Sequence, residues 1–70
     1  MTQYIQIEFQ NISQEQSDLL IAQLSEVGFE GFEEEENKLK AFIESNNFDE
    51  TLLQDISTPL QVNVFKTIIE

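Results

Sequence analysis

Residues 33–36 are four consecutive glutamates, the densest set of groups in this sequence that could do chemistry. Glu33, Glu34, Glu35 and Glu36 could hold a cation or supply paired carboxylates. Calcium takes six to eight oxygens from a loop that folds its ligands inward. An extended run instead points its side chains alternately to two faces, so four in a row diverge. The Asp-x-Asp-x-Asn-Gly spacing of a calcium loop is absent. Paired-carboxylate hydrolysis needs two acids in a cleft with different surroundings. A chain of 70 residues has little room for such a cleft. The run therefore reads as an acidic, solvated hairpin tip that suits a basic partner.

Other chemistries are excluded by composition. The sequence has no Cys and no His. Disulfides, thiolate nucleophiles, His-based triads and the common zinc sites all need one or the other. Only Gly28 and Gly31 are present, so no Gly-x-Gly-x-x-Gly phosphate cradle exists. The expectation is a chain with no catalytic, cofactor-binding or metal-ligating residues of its own. Fourteen acids against three lysines (Lys38, Lys40, Lys66) give a net charge of −11. Phosphate backbones and anionic membrane surfaces would be repelled, whereas a basic protein would be steered in. The first residues carry no basic, signal-like segment, and no stretch approaches the ~20 apolar residues of a membrane span. A cytoplasmic protein that binds neither nucleic acid nor membrane is expected.

The elements that must position these groups follow from periodicity. Tyr4–Phe9 alternates, with Ile5, Ile7 and Phe9 on one side, and reads as a half-buried strand. Ser13 with Gln16 has capping-box spacing. Leu20, Leu24 and Val27, with Ile21, then make one apolar helical face, and Gly28 stops the helix. A helix is predicted over 14–27. Residues 29–36 read as a second strand, Asn37 and Lys38 as a tight turn, and Leu39–Ile43 as the returning strand. Lys38 and Lys40 then lie across from some of the glutamates. Gly31 inside the strand suggests a bulge or a close approach by another backbone, and a bulge would let Phe29 and Phe32 both be buried. Asn47 with Glu50 repeats the capping-box spacing. Phe48, Leu52 and Ile56 recur at i, i+4, i+8, so a short helix is predicted over 48–56. Pro59 marks a loop. Val62, Val64 and Ile68 alternate in a last strand, with Phe65 on the other side.

The order is β-α-β-β-α-β. Two interleaved βαβ units give a four-stranded antiparallel sheet with both helices on one face, the ferredoxin-like split βαβ plaid of the α+β class. Residues 1–70 form one domain. The other sheet face is bare, and Tyr4, Phe42 and Phe65 are placed on it. Exposed aromatics there suggest that something covers them, a neighbouring domain or a longer parent chain in preference to a ligand. RNA-recognition domains stack bases on such rings, but amid basic residues, and here the surroundings are acidic.

The run LLIAQLSEVGFEGFEEEENKLKAFI, followed by FDE opening a helix, resembles the N-terminal domain of the PrmA family. Those enzymes methylate large-subunit ribosomal protein eleven with S-adenosylmethionine. The family pattern is a helix ending in Leu/Val-Gly-Phe, then Glu-Gly/Ser-Phe-Glu-Glu, a variable tip and a Leu-Lys-Ala-aromatic-Ile strand. Val27-Gly28-Phe29, Glu30-Gly31-Phe32-Glu33-Glu34 and Leu39-Lys40-Ala41-Phe42-Ile43 match in order. YIQIEF and VNVFKTIIE resemble the first and last strands. The resemblance implies a substrate-recognition domain, the N-terminal fragment of a longer methyltransferase. It would dock the basic ribosomal protein for lysine and α-amino methylation by a catalytic domain outside this chain. The cofactor belongs to that parent domain, and no catalytic residue carries over. Phe42, Phe65, Glu33, Glu34, Glu35 and Glu36 become the candidate contacts with the substrate protein. The alternative is a small ACT-like regulatory or dimerisation domain. Such domains usually place a glycine in the loop after the first strand, and Gln10–Ser13 has none.

Overall fold

The computed structural model describes residues 3–69. Strand β1 spans Tyr4–Gln10, helix α1 Gln14–Glu26, β2 Gly31–Glu35, β3 Lys38–Glu44, helix α2 Glu50–Ser57 and β4 Asn63–Ile69. Short 3₁₀ turns at Ser45–Asn47 and Thr58–Leu60 flank α2. The sheet order is β2-β3-β1-β4, with every neighbouring pair antiparallel. This is the ferredoxin-like α+β arrangement that the element order implies.

Alternation in β1 buries Ile5, Ile7 and Phe9 on one face. Their β3 partners Ile43, Ala41 and Leu39 face the same way, because residues directly opposite share a face. Leu20 and Leu24 of α1 and Leu53 of α2 close the same cluster, so both helices cover one side of the sheet. The capping box forms as the spacing predicts. Ser13 Oγ accepts from the Gln16 N–H, and Gln16 Oε1 accepts from the Ser13 N–H. Gly28 takes φ 105° just past the helix. The Phe29 N–H then donates back to the Leu24 carbonyl at 3.1 Å. That return bond is of Schellman type, with Phe29 and Leu24 both in the core as its usual hydrophobic contact.

Four local expectations are corrected. The β2 register runs regularly from Gly31↔Phe42 to Glu35↔Lys38, so Gly31 makes no bulge. Phe29 is buried because it lies in the helix return before the strand, where strand parity does not apply, while Phe32 is half-buried within it. The hairpin turn is Glu36–Asn37 rather than Asn37–Lys38, with Asn37 at φ 60°. Asn tolerates that left-handed conformation and Lys does not. The N-cap of α2 is Asp49, whose Oδ1 accepts from the Thr51 and Leu52 N–H groups. Asn47 instead ends the 3₁₀ turn, and Phe48 is extended. With the later start, α2 buries Leu53 and leaves Leu52 exposed.

Candidate functional site

The face of the sheet opposite the helices carries no element over it among the described residues. Its side chains form four rows across the strands, read from the antiparallel registers. The first is Glu44–Tyr4–Ile69, on β3, β1 and β4. The second is Gly31–Phe42–Gln6–Thr67, the third Glu33–Lys40–Glu8–Phe65, and the fourth Glu35–Lys38–Gln10–Asn63. One end of the face gathers the large side chains Tyr4, Phe42 and Ile69 among the polar Glu44, Gln6 and Thr67. The hairpin end is a ladder of alternating charge. Phe65 sits where the two meet.

Phe65 is 51% exposed, and Tyr4 and Ile69 are each 37% exposed. Phe42 is half-buried. Its ring lies over Gly31, where an added Cβ would stand 3.7 Å from Phe42 Cδ2. Part of Phe42 is therefore taken up in covering a glycine on the edge strand, a familiar cross-strand packing device. The sheet brings Tyr4, Phe42 and Phe65 to one face, as alternation predicts. Ile69 joins them, and simple parity from Phe65 would have found it. Glu44 could be placed beside Tyr4 only from the register of β1 against β3.

The glutamates divide. Glu33 and Glu35 lie on the open face, directly opposite Lys40 and Lys38. Lys40 Nζ reaches diagonally to Glu35 Oε1 at 3.4 Å. Glu34 lies on the helix side, where Gln14 Nε2 donates to its Oε2 at 3.4 Å. Glu36 stands in the turn. Glu8 accepts a hydrogen bond from Gln10 beside it on the open face. The four carboxylates do not converge, as the alternation of an extended run requires.

Tyr4 stands near the carboxylates of Glu30 and Glu44. Its Oη donates to Glu30 Oε2 at 3.4 Å. The Glu30 charge, then partial burial, then the Glu44 charge raise the phenol above its ordinary value of 10.0. Glu30 precedes β2, so strand patterning could not have assigned it to this face.

A small cleft of about 20 Å³ lies where the N-terminus of α1 meets the hairpin. Ile12, Ser13, Gln14, Ser17, Glu35, Asn37 and Lys38 line it. Ser17 is 4% exposed, and its hydroxyl has no protein partner among the described residues. The volume suits about one water. The residues here do not fit S-adenosylmethionine. The strand-to-helix connection beside the cleft, residues 11–13, lacks the glycines that let a backbone approach phosphate or ribose. Ligand pockets also run to hundreds of Å³. Among the described residues, no group of three or more acids is placed to hold a metal ion, and no helix is long and apolar enough to cross a membrane.

Set against known proteins, the sequence matches no family model and no curated protein, and the structure matches no solved structure.

Proposed function

We propose that this domain recognises a basic protein through its open sheet face. In the PrmA-like reading, the partner is a large-subunit ribosomal protein, held for methylation by a catalytic domain outside this chain. The observation that carries the reading is the open face itself, with Phe65, Tyr4 and Ile69 at least a third exposed beside a charged ladder. Aromatic and aliphatic side chains supply contact area at a protein interface, and rim charges set encounter rate and orientation. Of the candidate contacts, Phe65 is the anchor, and Phe42 adds the exposed part of its ring. Glu33 and Glu35 already face lysines. Glu34 and Glu36 are therefore the members of the run most free to steer a cationic partner.

The reading divides labour. Positioning belongs to this chain, and the chemistry and the cofactor belong to the parent's methyltransferase domain. An amino-acid-binding regulatory domain of ACT type is less well supported, because the loop after β1, residues 10–13, has no glycine.

The test is a titration of isotope-labelled domain with the ribosomal protein, followed by amide shifts at low and raised salt. Shifts should map to β1, β3 and β4 residues of the open face and weaken as salt rises. Phe65→Ala should weaken binding, and Glu34→Gln with Glu36→Gln should slow association. Absence of any perturbation at low salt removes substrate recognition, and heat on adding S-adenosylmethionine contradicts the division of labour.

A further inference from the structure

We propose that β4 is a self-association edge: a second copy of this chain adds its own β4 antiparallel to it, making an eight-stranded sheet about a twofold axis. This rests on the sheet and its charges. It does not depend on the reading above.

A four-stranded open sheet has two edges, each a row of backbone donors and acceptors free to pair with another strand. Proteins blunt such edges with charge, proline, bulges or short length. Here the two edges are treated differently. Edge β2 is five residues long and carries Glu33, Glu34 and Glu35, with Glu36 just beyond. Edge β4 is seven residues long, lacks proline, and pairs with β1 in unbroken register. It carries no carboxylate from Asn63 to Ile69, and a single glutamate, Glu70, follows in the sequence. Its one charge, Lys66, is drawn onto the helix side, 3.1 Å from Glu50 Oε1 and 5.5 Å from the centre of the Phe48 ring. Phe65 and Ile69 stand exposed on the open face, and Ile68 is 59% exposed on the helix side. This is the longest stretch of described strand that is apolar, exposed and free of acid.

Charge distribution chooses the occupant. In a chain of net charge −11, any pairing that brings two glutamate tips together is opposed. A twofold through β4 places the two β2 hairpins at the far ends of the joint sheet, the greatest separation the fold allows. An axis passing near Thr67 sets Phe65 of each copy opposite Ile69 of the other. It also sets Lys66 opposite Ile68, so the two lysines do not meet. An antiparallel strand is complementary to its own copy under this symmetry, so the contact closes at two chains. The two open faces then form one continuous platform with Phe65 and Ile69 at its seam.

The test is sedimentation equilibrium of the 70-residue chain from micromolar to millimolar concentration, at low and raised salt. The expected mass moves from one chain to two. The dimer should tighten as salt rises, because screening removes the repulsion between two like-charged bodies. Docking of a basic protein has the opposite salt dependence, so failure of one reading is distinguishable from failure of the other. Phe65→Lys with Ile68→Lys should weaken the dimer at least about tenfold. Both side chains are exposed, and circular dichroism should show the fold unchanged. Amides of β4 should exchange more slowly as concentration rises. A mass of one chain under every condition overturns the proposal. So does a mass that grows past two copies, the sign of β4 pairing head-to-tail with β2, or a dimer indifferent to the double substitution.

Discussion

Tyr4 shows how much of this surface is governed by single neighbours. Its hydroxyl stands between two carboxylates, Glu30 from the loop before β2 and Glu44 from the end of β3, and both oppose a phenolate. The folded value therefore lies above the unfolded value of about 10. The folded chain keeps its proton after the unfolded chain has lost it. The associated stability is complete below about pH 10 and is lost as pH rises through the raised value. Tyr4 is the sole tyrosine and there is no tryptophan, so phenolate absorbance reports it alone. A spectrophotometric titration should give a midpoint above 10.0, and Glu30→Gln should bring it back toward that figure. A midpoint unmoved by Glu30→Gln would remove Glu30 as the main cause. The other aromatics of the face are held differently. Phe42 lies over Gly31, whereas Phe65 is 51% exposed on the edge strand.

At the scale of elements, α2 is where local rules compete. Asn47 and Asp49 are both good N-cap residues, and only Asn47 has an acid three positions on. The chain nonetheless starts its helix after Asp49. Phe48 packs against the core in an extended conformation, φ −77° and ψ 132°, and its ring also receives Lys66. A helix begun at Asn47 would carry that ring away. Asp49→Ala should therefore destabilise the domain by about 1 kcal/mol. Asn47→Ala should change stability by less than about 0.5 kcal/mol. Urea unfolding of both variants checks this, and a larger loss from Asn47→Ala would reverse the cap assignment. The same competition marks what was legible in the sequence. Strands β1, β3 and β4 and helix α1 were readable because period, cap and stop agreed on each. The start of α2 and its buried leucine were not, because two adjacent leucines and two caps leave helix phase to tertiary packing. The turn position depended on which residue accepts φ 60°, and Asn37 does so better than Lys38. The bare face and its aromatics followed from alternation, but the pairing of Glu33 and Glu35 with lysines needed the β2–β3 register.

For the molecule as a whole, electrostatics is a standing cost. All three lysines have acidic neighbours: Lys40 with Glu35, Lys66 with Glu50, and Lys38 opposite Glu35. Exposed pairs of this kind contribute little, between about 0 and 1 kcal/mol each. Fourteen acids share three lysines, so compaction of the −11 chain works against its own field. Salt should therefore stabilise this protein. If attraction within the ion pairs outweighed repulsion, salt would weaken it and lower the melting temperature. If net repulsion is larger, as the excess of eleven negative charges requires, salt raises it. In a domain of this size each 1 kcal/mol moves Tm by about 4–8 °C. A rise of several degrees between low and moderate sodium chloride is expected. It should be measured on dilute Phe65→Lys, Ile68→Lys protein, so that salt-driven pairing of β4 edges does not contribute. Glu34→Lys with Glu36→Lys should raise Tm at low salt and flatten its salt dependence. Neither glutamate has a lysine opposite it, so reversal removes repulsion without breaking an ion pair. The same double change at Glu33 and Glu35 should give less, because it sets four lysines together across the β2–β3 ladder. A Tm that falls with salt, or equal gains from the two pairs, would mean that the glutamate run is neutralised within the fold and is not the acidic tip on which docking of a basic partner depends.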